Sequence, residues 1–214
     1  MAFDPESKSV ILPEIFASHQ GDPSERVARE ERNMKSHSAG RMTSFSAQLM
    51  TNNIRVSLLA LALGMTFGVG TIIVLFYNGI ILGLIAVDYA QAGQTPFLLG
   101  WLLPHGVIEI PAILIGGQAG LMLAGALIGW GQRIRIYQRL RAISGDVVTL
   151  IFGVGLMLVW AGIVESFLSQ YHEPVIPYWV KISFGMAELF LLILFLSRSA
   201  AQPLQPATAP SSSS

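Results

Sequence analysis

The chain has 214 residues, of which 52% are hydrophobic and only 12% charged, with a formal net charge of zero and no cysteine. A water-soluble domain carries about a quarter charged residues, so this balance excludes an ordinary soluble protein. The absence of a basic field excludes a nucleic-acid binder, and the missing cysteines exclude disulfides, thiolate nucleophiles and Cys-based metal sites. Between Val56 and Trp130 the only formally charged side chains are Asp88 and Glu109, a pattern that hydrocarbon accommodates and water does not.

Residues 1–50 read as a polar N-terminal segment with one short charged helix. In Asp22-Pro23-Ser24-Glu25, Asp22 is placed to cap, Pro23 suits the first helical position, and the acid at Glu25 suits the first turn. The pairs Glu25/Arg29 and Glu31/Lys35 stand four apart in the favourable acid-first order. This helix is expected in water or among headgroups. Met42, Phe45 and Leu49 share one helical face that leads towards the membrane. The first hydrophobic run begins near Ile54, so no cleavable signal peptide is expected.

Residues 51–198 are predicted to form a transmembrane helical domain with full spans at about 56–77, 106–130, 147–168 and 178–196. The first of these would be about 33 Å long, enough to cross the hydrocarbon. Asn78-Gly79 is expected to interrupt the chain. Residues 80–103 stay apolar but are broken by Asp88, by the polar stretch 91–96 and by Pro104. Each remaining piece is too short to span, which predicts a re-entrant or interfacial hairpin. The fold class is therefore all-α, a polytopic transmembrane helix bundle with a broken or re-entrant hydrophobic segment.

Arg133, Arg135, Arg139 and Arg141 form the densest basic cluster and place their loop in the cytoplasm. The loop around His172 and Glu173 is then expected outside. Two crossings upstream of the Arg cluster put the basic N-terminal segment inside with it. The last residues, 199–214, are rich in Pro, Ala and Ser and are expected to be disordered.

Glycines recur in pairs four apart: Gly64/Gly68, Gly79/Gly83, Gly116/Gly120 and Gly125/Gly129. Such pairs let helix backbones approach closely in lipid. The expected use is packing within the chain, with a homo-oligomer interface as the alternative. The sharpest polar motif is Pro104-His105-Gly106-Val107-Ile108-Glu109-Ile110-Pro111. Pro104 is expected to start a helix, and His105 and Glu109, four apart, share one face of it. Charged groups within spans are costly and point to a partner or a function. Asn78, His105, Glu109, Glu165 and Lys181, with Glu188 further along the fourth span, are candidates for one intramembrane polar cluster.

Three readings of that cluster stand side by side. The residues pair with one another, for example Glu188 with Lys181, and pin the packing; or His105 and Glu109 titrate along a proton or ion path; or they hold a metal with Glu165 or Glu188 as third ligand. The last is weakly signalled, because the second His of the His-Glu-x-x-His motif is missing. No phosphate loop and no nucleophile elbow is present. No catalytic residue, cofactor or metal site is assigned.

Several segments, taken in order, resemble the stage II sporulation protein M family of bacterial and archaeal membrane proteins. They are Asn52-Asn53-Ile54-Arg55-Val56, Leu63-Gly64, Gly68-Val69-Gly70-Thr71, Tyr77-Asn78-Gly79 with Gly83, the Pro104–Ala112 stretch, Glu165-Ser166-Phe167, and Lys181. The resemblance covers roughly residues 45–185. It implies a multi-pass protein of the cell membrane. In spore formers the family member works with two partners in peptidoglycan remodelling and resembles an anchor or recruiter rather than the hydrolase. Family members usually begin with another hydrophobic span, which the first residues here do not match. The expected function is an integral membrane scaffold or recruitment protein linked to the cell envelope. Its expected partners are the lipid bilayer, other membrane or envelope proteins and a second copy of itself. The alternative is a channel or transporter-like protein with an intramembrane His/Glu path.

Overall fold

The computed structural model describes residue 8, residues 10–33 and residues 39–200, with side chains left out over 33–46 and 199–200. All regular structure among these residues is helical. A short 3-10 stretch, Glu14–His19, precedes α1 (Pro23–Asn33). Then come α2 (Ala39–Ala62), α3 (Val69–Gln91), α4 (Thr95–Ile128), α5 (Ile136–Val164) and α6 (Tyr178–Ala200). Four of them, α3 to α6, are long and apolar enough to cross a membrane. The expected tail, apart from its first two residues, and Lys35 lie outside the described residues.

The helix α4 is the axis of the bundle. Its 34 residues give it a length of about 51 Å. Small residues along it let its neighbours approach. Ser57 of α2 packs against Gly116, and Ala60 and the Gly64 turn pack against Gly120. A Cβ on Gly64 would overlap the carbonyl of Gly120, so only glycine permits this crossing. Leu75 of α3 covers Gly117, Met50 of α2 covers Gly162 of α5, and Gly185 of α6 sits against Leu103. In lipid such close packing takes the place of the hydrophobic effect.

The first membrane helix differs from the one expected at 56–77. The chain turns at Phe67 and Gly68, both in the left-handed region with φ of 56° and 86°, and α2 and α3 form a hairpin. Gly68 donates its N–H to the Gly64 carbonyl at 3.2 Å, a glycine stop of the usual helix-ending kind. Thr66 Oγ1 donates to the Leu63 carbonyl and accepts from the Gly70 N–H, both within 2.8 Å. Thr71 Oγ1 donates to the Ala60 carbonyl at 2.7 Å, stitching the two arms. Asn78-Gly79 does not break the helix, because the Asn78 amide donates back to the Val74 carbonyl at 2.8 Å and the backbone stays helical. The break expected between 91 and 96 is present as a tight turn, but its arms belong to the long helices α3 and α4.

The two ends of the bundle are chemically unlike. At one end Lys8 pairs with Asp88 at 2.7 Å, both 4% exposed. There Tyr178 donates to Glu31 at 2.7 Å, while nearer the middle of α3 Tyr77 donates to the Ile11 carbonyl at 2.9 Å. Asp22 caps α1 through the N–H groups of Ser24 and Glu25. At the opposite end the Arg139 guanidinium lies against Gly129, at the far terminus of α4. The N-terminal segment and the Arg133–Arg141 region therefore sit at opposite ends, not together as charge counting suggested. The reason is the α2–α3 hairpin, which adds one crossing direction that a single 56–77 span lacks.

Candidate functional site

Pro104 does not begin a helix; α4 runs through both Pro104 and Pro111 from Thr95. Proline crowds the carbonyl four residues back, and at Pro104 that residue is Gly100, which also receives the Tyr178 ring. Membrane helices tolerate such interruptions when neighbours supply the missing contacts. His105 and Glu109 consequently lie near mid-helix, away from the N-terminal dipole.

The structure gathers His105, Glu109, Glu165 and Lys181. A π-helical turn over Glu165–Ser169 ends α5 and re-aims its side chains; such turns are frequent at functional positions. It brings Ser169 Oγ to 2.8 Å from His105 Nδ1. It also places Gln170 five residues after Glu165, so that its amide donates to Glu165 Oε1 at 3.1 Å. Lys181, fully buried, donates to the carbonyls of Ser169 at 2.8 Å and Tyr171 at 2.7 Å. Carbonyls freed at a helix end need such donors, and a cation there suits the dipole.

Lys181 is thus committed to backbone and does not pair with Glu188. Glu188 lies on the α5–α6 seam and accepts from the Trp160 indole at 2.7 Å. Glu109 accepts from the Asn53 amide and lies within electrostatic reach of Glu165. One oxygen each of Glu109, Glu165 and Glu188 is buried without a partner. Asn78, His105 and Glu109 line one cavity of about 190 Å³, bounded by α2, α3, α4 and Phe16 of the 3-10 stretch. Among the described residues no three His, Asp or Glu side chains converge to hold a metal ion.

The glycine pairs divide. Gly64, Gly68, Gly116 and Gly120 touch neighbouring helices or side chains, and Gly129 touches Arg139. Gly79, Gly83 and Gly125 face open space among the described residues, where their small size serves no packing.

Ser169, Gln170 and Trp160 were missed by spacing arguments. The Glu165–Gln170 interval of five is a π spacing, which a search at three and four cannot register. The end-cap residues were missed as well. Arg26 donates to Tyr89 Oη at 2.7 Å and lies 5.5–5.9 Å from the ring centres of Tyr89, Phe97 and Trp101. Its Nη1 is 2.6 Å from Nδ1 and 2.7 Å from Nε2 of the buried His19. Burial, and then the Arg26 charge, holds the His19 pKa well below its ordinary value. His172 stacks on Phe97 at 4.7 Å; burial first, then Lys181 and Arg26, lowers its pKa to about 3.

The sequence profile of the stage II sporulation protein M family matches residues 9–170. The chain belongs to that family. The match takes in α1 to α5 and every cluster residue except Lys181 and Glu188. An uncharacterized protein of Methanocaldococcus jannaschii is 37% identical over 76 residues, which is 35% of this chain and 43% of the relative. The match thus spans less than half of that relative's length. No solved structure gave a significant match. Membership, with four apolar helices of spanning length, makes the chain a multi-pass membrane protein of the stage II sporulation protein M family.

Proposed function

We propose that this chain is a scaffold or recruitment component of the cell membrane, engaged in envelope (peptidoglycan) remodelling, and that the polar cluster fixes the helices that present its docking surface. The observation that supports this reading is the seal beneath the cluster. Past Glu109, Ser57 lies over Gly116, Leu75 over Gly117, and Ala60 and Thr71 over Gly120, so near that a Cβ added at any of the three glycines would meet them at 3.0 Å or less. The buried polar groups along that seam are spoken for: Thr71 donates to the Ala60 carbonyl and Ser57 to the Asn53 carbonyl. A conducting path needs polar groups or water from one end to the other, and the cluster stops halfway.

Lys181 and Ser169 tie the α5 end, the following loop and α6 into one rigid unit. A rigid, loop-bearing end suits docking, because ordered loops lose little entropy on binding. The proposed partners are membrane or envelope proteins and a second copy of the chain. The channel-like alternative rests on the unpartnered Glu109 and Glu165 oxygens.

Affinity purification of the tagged chain from native membranes in mild detergent, read by mass spectrometry beside Glu109→Gln, separates the two. A near-stoichiometric envelope protein lost with Glu109→Gln is the expected result. A folded protein that brings down nothing, yet carries ions across liposome membranes, overturns the scaffold reading.

A further inference from the structure

The shortest spanning helix measures the depth of the others. From Tyr178 to Arg198, α6 has 21 residues, about 32 Å by the usual helical rise. That is little more than the hydrocarbon thickness of about 30 Å. α6 therefore uses its whole length, and Glu188, its middle residue, marks the bilayer centre. Trp160 of α5 donates to Glu188. On either side of Trp160, Gly162 receives Met50 of α2, and Leu158 belongs to the cluster on which Ile54 packs. α2 thus crosses the bilayer centre between Met50 and Ile54. At that depth α5 turns Leu156, Val159 and Ile163 outward, 47–58% exposed, as a lipid contact requires.

The outward face of α2 is different. Gln48, Thr51 and Arg55, three and four apart, are exposed along one side of the helix, while the opposite side is fixed by Asn53 on Glu109. Thr51 Oγ1 is satisfied by the Ala47 carbonyl. Among the described residues Gln48 and Arg55 have no hydrogen-bond or ion-pair partner. Hydrocarbon offers a guanidinium no acceptor, and an arginine at this depth is costly. Either head-group layer is about 15 Å away, half the hydrocarbon thickness, which is beyond the reach of a snorkelling side chain. A second copy brings no free acceptor to this depth among the described residues: Glu109, Glu165 and Glu188 are buried, and Asp88 is held by Lys8. What the face lacks is a carboxylate, which a planar guanidinium grips through two parallel N–H bonds.

We propose that the Gln48–Thr51–Arg55 face of α2 docks a membrane-spanning helix of a partner protein that carries a carboxylate at mid-bilayer, with Arg55 donating to it. The proposal rests on the scaffold reading and names the surface and the chemistry of recruitment. The chain, with a fluorescent donor on Gln132→Cys, is placed in phosphatidylcholine liposomes with an acceptor-labelled, leucine-rich helix of about 20 residues bearing one central glutamate. Energy transfer reads their association. A charge-assisted pair predicts roughly ten-fold tighter association than with the all-leucine helix. Arg55→Leu, which removes a charge from lipid and favours insertion, should abolish that preference, and Arg55→Lys should keep part of it. Moving the glutamate two turns towards either end of the peptide should abolish it too, a test made on the wild type alone. Equal association of both peptides, a preference that survives Arg55→Leu, or one indifferent to the glutamate's depth overturns the proposal. So does self-association of the chain that Arg55→Leu disrupts, which would make a second copy the occupant. The peptide carries no envelope-protein sequence, so its failure to dock leaves the scaffold reading to its own test with Glu109→Gln.

Discussion

At the scale of single residues, the glycines show how one motif serves two ends. Gly64 lies where a Cβ would run into the Gly120 carbonyl, which is backbone and cannot swing aside. Gly64→Ala should therefore lower stability by about 1–3 kcal/mol, the usual cost of overpacking. Gly83 has open space, so Gly83→Ala should raise helix stability by about 0.5–1 kcal/mol. Thermal unfolding in one detergent compares the two, and equal effects would mean that the α2–α4 crossing is looser than described. A second residue-scale prediction concerns His172. The folded protein keeps this imidazole neutral down to about pH 3, whereas the unfolded chain takes up its proton near the ordinary value of about 6.5. Between those values the unfolded state binds more protons, so the stability is present above about pH 6.5 and is lost as pH falls towards 3. His19 acts in the same direction. His172→Phe, which keeps a ring against Phe97, should flatten part of the fall in Tm on acidification. An unchanged slope would remove His172 as its source.

At the scale of elements, much was legible and the reasons for the rest are physical. The helical class and four spanning helices follow from runs of apolar residues that lipid alone tolerates. The hairpin at Phe67-Gly68 was not legible, because hydropathy continues unbroken through it and glycine four apart reads equally as packing or as a stop. The cluster residues His105, Glu109, Glu165 and Lys181 stand out as charges in apolar runs. Their hydrogen-bond partners do not, since Ser169 and Gln170 reach them through a π-turn, and Asn53 through a helix parallel to α4. The N-terminal segment was the least legible. Lys8 and Asp88 are 80 residues apart and nothing local joins them. Breaking a buried ion pair on one side leaves an unpaired charge. Lys8→Met should therefore cost about 3–5 kcal/mol, while Lys8→Met with Asp88→Leu should be near neutral. A double-mutant cycle on thermal stability measures the difference. Additive losses would show that the two side chains do not meet.

At the scale of the whole molecule, direction along the bundle decides what the protein can present and to which side. α2 runs parallel to α4, with Asn53 beside Glu109 and Gly64 beside Gly120, and α3 returns against both. This carries α1 to the end that holds His172 and leaves Arg133–Arg141 at the other. Charge near the membrane orients a chain through exposed Lys and Arg in short loops. At the N-terminal end Lys8 and Arg26 are buried, while Arg29 and Arg32 are exposed. Arg133, Arg135, Arg139 and Arg141 form the denser cluster, in a short connection between two spanning helices, and should face the cytoplasm, with α1 on the opposite side. The chain has no cysteine, so single cysteines report on sidedness without background. A cysteine at Ser24, exposed beside the α1 cap, should react with an impermeant maleimide added outside intact cells. One at Gln132, exposed in the Arg loop, should react only after the membrane is opened. Labelling of both from the same side would mean that α2 and α3 do not run as a hairpin. The seal beneath the cluster, which rests on the parallel course of α2 and α4, would then fall with it.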